Sequence, residues 1–204
     1  MTRTRPGIRA APLALATALA IVFAVACGGD GGEAPATGPP PAATGAAQGA
    51  AATEPPDVDY TVWAGAVCAA AETFAQTLNS SDDGIDPSRL RFEQRKVRAL
   101  RLGALEYDAA RALADALDIE SPGEASAAYT AALATLARVS AEATQAQLLE
   151  VQAATSNTQI DASNVRFTLA VAATEEEVSA TALALPTQAL TALGAVTACG
   201  RVQG

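Results

Sequence analysis

Histidine is absent from all 204 residues. Its absence removes the Ser-His-Asp and Cys-His catalytic arrangements. It also removes zinc sites of the Cys/His type and the Glu-x-x-His pairs of di-iron bundles. Lysine occurs once, at Lys96, with no Ser-x-x-Lys before it, so a Ser-Lys nucleophile is not available. Aromatic residues make up only 4% of the chain, with one Trp, three Tyr and four Phe, too few for the flat platforms that sugar sites need. No glycine-rich stretch has the spacing of a phosphate cradle, and no internal repeat is visible. These exclusions point to a non-enzymatic chain that carries no cofactor and no metal.

Basic residues are scarce but not evenly so. Three of the 13, Arg3, Arg5 and Arg9, precede an apolar stretch that runs from Ala10 to Ala26 without an acid. A positive start, a short apolar run and small residues before a cut site form a secretory signal. The run is marginal for a bilayer-spanning helix, which needs about 20 apolar residues. Its end, Val25-Ala26-Cys27, resembles the lipobox of bacterial lipoproteins, although Ala24 stands where that family usually has leucine. The resemblance covers about 27 residues. It implies cleavage before Cys27, a lipid on its thiol and an extracytoplasmic address at the bacterial cell membrane. An uncleaved anchor helix, or a cut elsewhere that leaves Cys27 a free thiol, is the competing reading.

Cys27 to Pro56 follows as a tether of 30 residues, with seven Gly, six Pro and nine Ala. Such a segment has too little bulky apolar surface to offset its ordering entropy. Its expected span is on the order of 30 Å. The chain therefore divides into a signal (1–26), a tether (27–56) and an Ala-rich domain (57–204). Without the signal, 10 basic residues face 22 acidic ones, a formal charge of −12. Nucleic acid is excluded as a partner, because binding it needs a basic footprint.

The domain reads as all-α. Alanine is the best helix former, and alternating strand patterns are hard to find. The spacing predicts an antiparallel up-down bundle of about four helices. A first helix near Asp59–Leu78 carries Val67, Ala71, Phe74 and Leu78 on one face, beside Cys68. Asp86 with Pro87 predicts the start of a second, running to Leu117. Its apolar residues form two rows, one through Leu90, Val97, Leu100, Ala104, Tyr107, Ala114 and Leu117, the other through Leu102, Leu105, Ala109 and Leu113. Ser121-Pro122-Gly123-Glu124 reads as a capping box opening a third helix, with Tyr129, Leu133, Leu136, Ala143 and Ala146 on one face. Thr155–Asn164 is the expected next turn, and a last segment begins near Asn164. Thr174-Glu175-Glu176-Glu177 reads as another capping box, its acids favouring a helix N-terminus. Pro186 interrupts whatever runs through it.

Cys68 and Cys199 stand near the two ends of the domain, and in an exported protein such a pair is read as a disulfide. In that feature the domain also resembles exported helical bundles with one cysteine near each end, a pattern of low specificity. Two stretches bear on contacts. SSDDGID offers Asp82, Asp83 and Asp86 to a cation, but an EF-hand register aligned on Gly84 would place Leu90 where a bidentate Glu is needed. The alternative is a solvated turn with a helix cap. Six of the ten remaining basic residues fall between Arg89 and Arg101. Arg91, Arg95 and Arg98 follow i, i+4, i+7 spacing, with Arg101 one turn on. They form either a solvated face paired with acids of neighbouring helices or a contact surface for an acidic envelope protein or anionic lipid headgroups. The sequence thus favours a membrane-tethered domain that binds or scaffolds another envelope component. A small-ligand or cation-binding lipoprotein is the alternative. A deep pocket lined by two acids with Tyr107 or Tyr129 would instead favour an enzyme.

Overall fold

The computed structural model describes residues 58–81, 83–197 and 199. The signal, the lipobox with Cys27, the tether and Asp82 lie outside the described residues. The domain is all-helical, with five α-helices and no strand among the described residues. No single described helix is long and apolar enough to cross a membrane.

Helix α1 (Thr61–Ser81) begins where the Asp59 carboxylate accepts the Thr61 N–H at 2.8 Å. Trp63, Ala64, Val67, Cys68, Ala71 and Phe74 recur at helical spacing and are buried. The predicted face is the one that packs, with Leu78 half-buried at its end. The helix runs past Leu78, and in its last turn the Ser80 and Ser81 hydroxyls donate to the carbonyls of Thr77 and Leu78. Gly84 then turns the chain at φ +65°, a conformation open to glycine at little cost.

Asp86 does act as a cap, accepting the Ser88 N–H at 2.9 Å, but what it opens is one 3-10 turn, Pro87–Arg89. Leu90 and Arg91 are extended, with ψ of 141° and 157°, so backbone bonding cannot continue through them. Helix α2 (Phe92–Ala116) starts afresh behind Arg91, whose N–H donates to the Gln94 side chain at 3.2 Å. The core face of α2 takes the C-terminal members of both predicted rows, Ala109 and Leu113 of one and Leu117 of the other, and leaves their N-terminal members nearer solvent. Val97 is 67% and Leu105 39% exposed, whereas Gly103, Glu106, Ala109, Ala110 and Leu113 are buried. At Gly103 α2 comes close to its neighbour: a Cβ there would sit 2.8 Å from Leu148 Cδ2, so the leucine side chain would have to move aside.

Helix α3 (Glu124–Ala153) is capped by Gly123 rather than Ser121: the Gly123 N–H donates to Ser126 Oγ at 3.1 Å, while the Ser121 hydroxyl turns to Thr130. Its face holds Tyr129, Leu133 and Leu136 as predicted. Beyond them it passes through Ala137, Ser140, Ala141, Thr144 and Val151, leaving Ala143 half-buried and Ala146 exposed. The predicted turn at Thr155–Asn164 contracts to Ala154–Ser156, and helix α4 (Asn157–Leu183) is N-capped by Ser156. Ile160, Phe167, Val171, Val178 and Ala182 keep α4 on α3 across Thr174–Glu177. Those residues are therefore mid-helix and cap nothing, and the Thr174 hydroxyl donates back to the Val171 carbonyl at 2.7 Å.

Pro186 ends this course as expected. Helix α5 (Thr187–Ala195) leaves α4 at 107° and buries Ala189 and Leu193. It rests on α1, where Cys199 joins Cys68 in a disulfide with a Cα–Cα distance of 4.9 Å. α3 packs between α2 and α4, and α1 lies mainly against α2. One core cluster spans all five helices, and a smaller one gathers Val151, Ala154 and Ile160 with Phe92, Ala99 and Leu100.

Candidate contact surface

The arginine-rich start of α2 is held by acids from outside the helix. Arg98 donates to both oxygens of Asp83, through Nη2 to one at 2.8 Å and Nε to the other at 3.2 Å. Arg101 adds a bond to Asp83 at 2.9 Å. The Arg98 hydrogen bond, helped by the Ile85 N–H and the charges of both arginines, holds the Asp83 carboxyl at about 2 despite some loss of solvent. Arg95 pairs with Asp161 on α4, and Arg89 lies 3.5 Å from Asp86. Lys96 donates to the Ala154 carbonyl at 2.9 Å, at the end of α3, and sits over the Phe92 ring. A cation there suits the negative end of the helix dipole.

The four arginines singled out by spacing therefore have different positions. Arg95 and Arg98 are mostly covered, with 18% and 16% of their side chains exposed, and they fasten α2 to α4 and to the loop before it. Arg101 is 58% exposed while bonded to Asp83. Arg91 is exposed and its guanidinium makes no ion pair among the described residues. The outward basic surface consists of Arg89, Arg91 and Arg101. In the acidic loop, Asp83 and Asp86 are engaged by arginines and the Ser88 N–H. No group of three or more metal-ligating side chains occurs among the described residues.

Two features were not legible in the sequence. Glu106 is 9% exposed on the core face of α2, and burial pushes its carboxyl up to about 7. On the face of α3 that receives α2, the Ser140 and Thr144 hydroxyls are buried without a hydrogen-bond partner. The series Glu106, Ala110, Leu113, Leu117 at i, i+4, i+7, i+11 was the available signal, disguised by its one charged member. The second feature is an open cavity of about 610 Å³ where α2 turns into α3. Asp115 and Asp118 line it, but neither Tyr107 nor Tyr129 does. Tyr129 is fully buried, with its ring against Trp63.

The chain matches no family model, no curated protein and no solved structure.

Proposed function

We propose that this chain is a lipid-anchored, extracytoplasmic helical domain that binds or scaffolds another component of the bacterial envelope and catalyses no reaction. The Cys68–Cys199 disulfide carries this reading. Such bonds persist in oxidising compartments outside the cytosol, the destination implied by the apolar run ending at Val25-Ala26-Cys27. A lipid on Cys27 would leave a Gly-, Pro- and Ala-rich stretch running to Pro56 between membrane and domain. Within this reading α1 to α4 form an antiparallel up-down bundle, with α5 folded back as a strap.

The contact surface is the exposed edge of the basic stripe, Arg89, Arg91 and Arg101, facing an acidic envelope protein or anionic headgroups. Arg95 and Arg98 hold that edge in place from beneath. Two variants test the reading. Cys27→Ser should move the protein from the membrane to the soluble extracytoplasmic fraction; unchanged membrane retention would remove the lipid anchor. Arg89→Glu with Arg91→Glu leaves the pairs to Asp83 and Asp161 intact. In-cell cross-linking should lose a defined partner in that variant, and an identical cross-link pattern would remove the basic edge as the contact.

A further inference from the structure

Charges that serve as glue in this fold are paired: Asp83 with Arg98 and Arg101, Asp161 with Arg95, Glu150 with Arg166. Around the cavity at the α2–α3 turn the opposite holds. Asp115 and Asp118 make no ion pair among the described residues. Arg138, on the α3 wall, makes no ion pair among them either and donates only to Thr135 Oγ1 at 3.3 Å. The last turn of α2 contains no basic residue, so its terminal carbonyls add to the negative potential of the two aspartates. Between the charged ends the wall is apolar, made of Ile119, Leu117 and alanines of both helices. Its one buried polar group is the Thr130 hydroxyl, which accepts from Trp63 Nε1 at 2.9 Å and donates to the Ser126 carbonyl at 2.8 Å.

We infer that this cavity binds a di- or tripeptide with free ends, its ammonium at Asp115 and Asp118 and its carboxylate at Arg138. A simple cation would meet Arg138 and a simple anion would meet the two aspartates; a molecule with both charges satisfies each wall. The length follows from the helix. Thr130 is level with Ser121, just past Asp118, and Arg138 lies eight residues further along α3, about 12 Å at 1.5 Å per residue. The arginine side chain closes part of that gap. The remainder matches two or three extended residues at about 3.3–3.6 Å each. The volume lies within the usual range for small-ligand sites. The alanine walls accept small side chains. This site is separate from the basic edge of α2, and its test does not depend on the lipid anchor.

The test uses the full-length oxidised chain, purified in detergent, and a randomised tripeptide pool read by native mass spectrometry. The pool is offered with free ends, N-acetylated or C-amidated. Peptides should be retained from the free pool, with retention at least about tenfold weaker when either end is blocked, the loss expected for one charged hydrogen-bonding partner. Asp115→Asn with Asp118→Asn should abolish the preference for a free ammonium and keep the preference for a free carboxylate. Arg138→Gln should do the reverse. All three positions are exposed, so the variants should melt like wild type. No retention from the free pool, equal retention of blocked pools, or variants that discriminate as wild type does would each overturn the proposal.

Discussion

Trp63 on α1 reaches past α2, its main neighbour, and donates through Nε1 to Thr130 Oγ1 on α3 at 2.9 Å. Its ring meets Tyr60 and Tyr129 edge-on at 5.9 and 6.2 Å. The only tryptophan of the chain thus fixes how α1 sits on the rest of the fold, and the same hydroxyl it holds forms part of the cavity wall.

Replacing Trp63 with Phe should therefore destabilise the domain by about 2 kcal/mol, through a lost hydrogen bond and the space left by the smaller ring. The urea midpoint by far-UV circular dichroism reads this directly. A midpoint equal to wild type would mean that the bond adds nothing to the docking of α1.

Cys199→Ser should cost more. The disulfide joins residues 131 apart, and closing such a loop is worth about 4–5 kcal/mol in the chain-entropy model. α5 rests on α1, so amide exchange in Thr187–Ala195 should accelerate before the rest of the domain opens. If both the melt and the exchange pattern stay unchanged, the bond is idle.

Glu106 makes stability fall as pH rises. Burial lifts its carboxyl from an ordinary value of about 4.3 to about 7 in the folded state. Between those values the native state keeps a proton that the unfolded chain has released. The contribution of the neutral carboxyl is fully present below about pH 4.3 and is lost as pH passes about 7. It amounts to at most about 4 kcal/mol. Glu106→Gln should flatten stability across that window and exceed wild type above pH 7; parallel curves for the two proteins would contradict the burial of an unpaired acid.

Asp83 acts in the opposite sense. Arg98 and Arg101 hold its folded value at about 2, so its contribution is present above about pH 3.9 and disappears as pH falls through 2. Because the cluster is partly exposed, the effect is modest. Asp83→Asn should make the acid limb of the stability curve shallower. Added salt should weaken the difference from wild type, and a difference indifferent to salt would point to a cause other than these ion pairs.

Much of the helical course was readable from local chemistry. Pro186 breaks the chain where a residue without an N–H must, and the α1 face through Val67, Ala71 and Phe74 is the buried one. The differences at helix starts share one origin. Ser and Thr look like caps in sequence, but their hydroxyls also bond carbonyls within a helix, as Thr174 does. Ser121 has the sequence pattern of a cap but bonds Thr130 instead, leaving Gly123 to begin α3. On α2, leucines and alanines surround much of the cylinder, so periodicity does not select one face: Ala109, Leu113 and Leu117 of the predicted rows are buried, whereas Val97 and Leu105 of the same rows are exposed. The arginine stripe was visible as spacing; that Arg95 and Arg98 face Asp161 and Asp83 was not, because those pairs join residues 66 and 15 apart.

By itself the sequence determined that the domain is helical and that Pro186 separates α4 from α5, because backbone propensity and a missing N–H act within a few residues. Two cysteines, one near each end of the domain, also announced their bond. Only the tertiary structure decided which side of α2 faces the core, that Glu106 is buried there, which arginines remain outward and that Asp115, Asp118 and Arg138 line one cavity at the α2–α3 turn. Alanine packs almost equally well on any face of a helix, so its pattern carries little directional information. The choice falls to the few side chains whose shape or charge meets a partner from another helix, such as Gly103 against Leu148 and Trp63 against Thr130.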